Sequence, residues 1–153
     1  MTSKEQFTDE QWAQVAALPG MVIGGGALSD GRKLVTTLRE VAAGGATLTD
    51  VAARYPDNAV VQAWVEGAAG TSHLSGSGSV AGAVDEIGAQ AEAAIATLRS
   101  VCTPEEFGQA REVLSAVVTA VVERTKGGPF GFSGDPITPE EQAFVDRITA
   151  ALA

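Results

Sequence analysis

The chain has 153 residues, a net charge of −9, 45% hydrophobic residues and only 5% aromatic ones. That length supports one domain with a core of its own, and the apolar share excludes a chain disordered throughout. Ten Lys and Arg against nineteen Asp and Glu argue against nucleic acid and anionic membrane as partners, since both need clustered positive charge.

The single cysteine, Cys102, excludes an internal disulfide and suits a reducing compartment. Residues 1–11 lack the apolar stretch of a signal peptide, and no apolar run approaches the roughly 20 residues that span a bilayer. The cytoplasm is the expected location. Abundant Ala and Gly predict a core in which backbones approach closely.

Residues 1–7 read as a polar tail, and residues 8–153 as one helical domain. Thr8 opens a first helix with Gln11 as its capping-box partner and a Phe7–Trp12 staple, and this helix is expected to run to about Leu18. Pro19 then starts an apolar segment, Met21-Val22-Ile23-Gly24-Gly25-Gly26-Ala27-Leu28, which reads as a short buried helix loosened by glycine, with a strand as the alternative. Ser29 or Asp30 caps a helix with Leu34, Val35, Leu38 and Val41 on its apolar face, stopped by Gly44-Gly45. A short helix is expected over 49–55, broken before Pro56, and another capped by Asp57 with Val60, Val61, Trp64 and Val65 inward. Residues 67–79 form a flexible, linker-like stretch of Gly and Ser.

The C-terminal half is the more regular. Val80, Val84, Ile87, Ala91, Leu98 and Val101 recur at helical spacing, predicting a helix over 80–101. Thr103, Pro104 and Glu106 form a capping box ahead of a second long helix over 104–126, whose face is Phe107, Ala110, Leu114, Val117, Val118 and Val121. So short a turn at Cys102-Thr103 predicts an antiparallel hairpin. A last helix begins at Thr138-Pro139-Glu140-Glu141 and presents Phe144, Val145, Ile148 and Leu152. The fold expected is all-α, a single-domain bundle of five to seven helices.

Few residues offer chemistry. Gly26 to Lys33 falls short of a phosphate-binding loop, because Arg32, Lys33 and Leu34 follow Gly31 where the motif needs Lys and then Ser or Thr, and Asp30 would repel phosphate. Gly24-Gly25-Gly26 and Gly76 to Gly82 echo dinucleotide fingerprints without the strand–turn–helix context. His73, the one histidine, lies beside Ser72 with no third group to orient it. No catalytic set is read from the chain. Asp135, Glu140 and Glu141 offer clustered carboxylate oxygens suited to a hard cation such as calcium, although their spacing is not that of an EF-hand. The loop Gly127-Gly128-Pro129-Phe130-Gly131-Phe132-Ser133-Gly134 sets two aromatics among four glycines, and its Gly127, Gly128, Phe130 and Phe132 are candidate partner-binding residues.

The segment from Glu105 to Leu152, centred on KGGPFGFSGDPITPEEQAFVDRI, resembles the C-terminal part of a family of small, uncharacterised all-helical bacterial proteins with a Lys-Gly-Gly-aromatic loop before a capped helix. The loop and cap are also similar to tellurite-resistance TerB-like helical domains, whose Asp-Gly-x-Ile-Ser-x-x-Glu turn is associated with metal; here Gly134-Asp135 reverses the first two residues and Pro136 follows. The first resemblance implies no activity. The second implies a divalent-cation-binding, stress-associated protein. The expected function is a non-enzymatic interaction or assembly module, acting on a protein partner or on itself. The weaker alternative is a ligand binder or enzyme with a pocket near residues 24–33.

Overall fold

The computed structural model describes residues 1–29, 44–67, 80–125 and 137–153, and every regular element among them is helical. A 3-10 turn at Lys4–Gln6 precedes α1 (Asp9–Ala16) and α2 (Leu18–Ser29); the described part of α3 covers residues 44–52, followed by α4 (Ala59–Gly67), α5 (Val80–Val101), α6 (Pro104–Thr125) and α7 (Pro139–Leu152). No helix among the described residues is long and apolar enough to cross a membrane.

The central element is α2. Its sequence, LPGMVIGGGALS, carries no polar face, and a helix apolar on all sides is stable only when surrounded. It packs most extensively on α5, then on α6 and α7, whereas α5 and α6 touch each other far less than each touches α2. The hairpin predicted over 80–126 is therefore an open one, with α2 packed against both arms. Helix is the outcome for Met21 to Leu28, not strand.

Glycine makes this packing work. A Cβ on Gly25 would come within 2.2 Å of Phe144 Cζ, and one on Gly26 within 2.9 Å of Val121 Cγ1. The glycines that loosen α2 as an isolated helix are thus what admits α6 and α7 to its surface. Around it lie Ile87, Ala91, Ala94, Ile95 and Leu98 of α5, and Ala110, Val113, Leu114, Val117, Val118 and Val121 of α6, all buried. Phe144, Ile148 and Leu152 of α7 close the same core.

Three expectations need correction. Gly44 and Gly45 do not stop a helix; they belong to α3, and Gly44 is pressed against Ile23, where a Cβ would sit 2.7 Å from Cδ1. The cap of α4 is Asn58, not Asp57: its Oδ1 accepts from Val61 N at 3.2 Å, while its Nδ2 donates to the Glu106 carbonyl and to Gln109 Oε1. A neutral amide serves two helices there because it both accepts and donates, which a carboxylate cannot do. Residues 1–7 are not a trailing tail either, since Thr2 and Phe7 are buried. The expected Phe7–Trp12 staple forms, with ring centroids 5.4 Å apart.

Trp64 of α4 is buried, and its indole N–H donates to the Val15 carbonyl of α1 at 2.7 Å. At the surface, Arg147 of α7 reaches Asp85 at 3.0 Å and Glu92 at 2.8 Å on α5. Such exposed pairs fix register more than they add stability.

Candidate functional site

Gly127, Gly128, Phe130, Phe132 and Asp135 lie outside the described residues, as do His73 and the linker residues 68–79. Of the proposed cation ligands, Glu140 is exposed and Glu141 is buried, with 1% of its surface accessible. The two occupy successive positions in the first turn of α7, and successive helical residues project about 100° apart. Glu140 faces solvent and Glu141 the interior, and Asp135, the third carboxylate of that set, lies outside the described residues. The Thr138 hydroxyl accepts from Glu141 N at 3.1 Å and donates to the Ser29 carbonyl at 3.3 Å, which ties the start of α7 to the end of α2. Among the described residues no group of three His, Cys, Asp or Glu side chains is placed to hold a metal ion.

Of the segment 24–33, where a pocket is expected, residues 24–29 are described and belong to α2. Beside Gly26 the space left among Val22, Val118, Val121, Phe144, Val145 and Ile148 amounts to about 10 Å³, no more than one water occupies. Gly24 to Gly26 sit within α2, so their N–H groups are not presented to a phosphate as a glycine loop would present them. Residues 30–33 lie outside the described residues.

Among the described residues, a dense polar site is one that sequence reasoning assigned only to capping. It lies at the turn from α5 to α6. The Glu106 carboxylate accepts from Thr103 N at 3.1 Å and Thr103 Oγ1 at 2.8 Å, and Glu106 N donates to Thr103 Oγ1 at 3.3 Å, which closes the expected capping box. It also accepts from the backbone N–H of Thr2 at 2.5 Å and from its hydroxyl at 2.6 Å. Burial pushes its pKa up, but the four donors outweigh burial and hold it down at about 2. Beside it Cys102 is buried, which pushes its thiol up, with a hydrogen bond involving Thr2 opposing and the Glu106 charge adding to the rise. A helix N-terminus favours thiolate, yet here desolvation prevails and the thiol is protonated near neutral pH.

A second feature carried no sequence signal. An open groove of about 440 Å³ runs between α5 and α7, lined by Glu92, Ala96, Arg99, Ser100 and Ala151. Its one cation is engaged: Arg99 Nη2 donates to the Ala151 carbonyl at 2.8 Å, and the guanidinium lies 5.0 Å from the centroid of Phe107. Lone residues spaced across two helices have no local periodicity to reveal them.

Searches against family models, curated proteins and solved structures found no match for this chain.

Proposed function

We propose that this protein is a helical interaction module, binding a protein partner or a second copy of itself through the glycine–phenylalanine segment 127–134. The observation behind this reading is how completely the framework turns its apolar faces inward. Among the described residues the only large hydrophobic side chain classed as exposed is Met1, at 87%. The charged groups nearest the helix contacts serve one another: Arg147 with Asp85 and Glu92, and Arg54 and Tyr55 with Glu112. A framework of that kind is suited to hold a recognition loop, and interface energies concentrate in a few aromatic anchors. Phe130 and Phe132 are the aromatics available between α6 and α7.

Affinity capture with the intact chain tests the reading, with an untagged copy of the same chain and native lysate offered in parallel. Retention of a stoichiometric partner or second copy, lost on Phe132→Ala, supports it. Equal capture by both forms would remove the loop from the account.

A further inference from the structure

We propose that residues 2–7 form a strap over the turn from α5 to α6, latched by Glu106, and that its local opening is the event that exposes Cys102 in the folded protein. The strap is pinned at its two ends. At one end Thr2 is only 4% exposed, and both its backbone N–H and its hydroxyl donate to the single carboxylate of Glu106. At the other end Phe7 is buried against Trp12, next to the start of α1.

Between these ends Ser3 to Gln6 are exposed, and their hydrogen bonds stay within the segment: Gln6 N and Phe7 N donate to Ser3 and Lys4 carbonyls, and Ser3 N donates to Gln6 Oε1 at 2.8 Å. Releasing Thr2 therefore breaks the bonds at one carboxylate and leaves the Phe7 hinge and the helices in place. Segments with few buried apolar contacts open at a fraction of the global unfolding free energy. The Glu106 carboxylate that holds Thr2 also holds Thr103, the residue next to the buried Cys102, so the latch adjoins the thiol.

The test is the labelling rate of Cys102 by an aromatic disulfide reagent, at fixed neutral pH and across low urea concentrations. It is measured on the intact chain and on Thr2→Val, which keeps the side-chain shape and removes the hydroxyl donor. Losing one hydrogen bond to a charged acceptor should speed labelling by about tenfold or more. The rate should stay flat in low urea for both forms, and the unfolding midpoint of Thr2→Val should fall by no more than the one lost bond accounts for. Thr103→Val, which removes a cap donor and leaves the strap bonds, should raise labelling only along with a urea-dependent rate. An acceleration by Thr2→Val of less than about threefold, or a rate that follows global unfolding in the intact chain, would overturn the strap.

Discussion

The ring of Phe144 occupies the space that a side chain on Gly25 would need. Two helices far apart in sequence meet there with no methyl group between them. Gly25→Ala should therefore destabilise the fold in spite of the gain of about 1 kcal/mol in helix propensity. Overpacking of this kind costs about 1–3 kcal/mol, more where backbone must move. Combining it with Phe144→Leu should cost less than the sum of the two changes, a coupling that chemical denaturation of the four forms measures.

Leu114 is fully buried on α6, and Val118 lies one turn further along the same face. Leu114→Ala should cost about 2–5 kcal/mol and Val118→Ala less. Chemical denaturation reads both, and changes below about 0.5 kcal/mol would remove that face from the core.

Trp64→Phe should cost about 1–3 kcal/mol, because it removes the indole N–H from the buried Val15 carbonyl and leaves part of the indole volume empty. The same substitution should remove a blue-shifted component from the fluorescence of the folded protein, leaving the emission of the half-buried Trp12.

Acid should act through Glu106. Its folded-state pKa of about 2 lies below the ordinary 4.5, so its contribution is fully present above about pH 4.5 and is lost as pH falls toward 2. That contribution is bounded at about 3 kcal/mol by the size of the shift. Unfolding free energies from pH 5 to pH 2 should fall more steeply for the native chain than for Glu106→Gln. Parallel curves would mean that the four donors do not favour the carboxylate.

The helices α5, α6 and α7 were legible because each carries an apolar stripe several turns long and α6 and α7 open on Thr-Pro-Glu-Glu, where local and tertiary preferences agree. What escaped was set by contacts distant in sequence. Gly44-Gly45 looks like a stop until Ile23 is seen to need the space. Asp57 looks the better cap until Asn58 is found bridging to α6. The first seven residues look polar because five of them are; Thr2 is buried only because Glu106, more than a hundred residues away, receives it. Glu140 and Glu141 are adjacent in sequence, and only the direction of α7 reveals that one faces solvent and the other the interior.

The interaction reading meets its most direct test in the two loop phenylalanines. Phe130, directly after Pro129, is expected to return to α6, and Phe132, between Gly131 and Ser133, to face a partner. Phe130→Ala should lower the melting temperature as loss of a core aromatic does, at about 3–5 kcal/mol. The deciding measurement is quantitative affinity capture by Phe132→Ala beside the native chain, at a temperature where both are folded. Capture of the partner or second copy should fall at least about tenfold, with the melting temperature unchanged. Capture that is undiminished in Phe132→Ala, with a melting temperature lowered as in Phe130→Ala, would contradict it and make the loop a lid on the core.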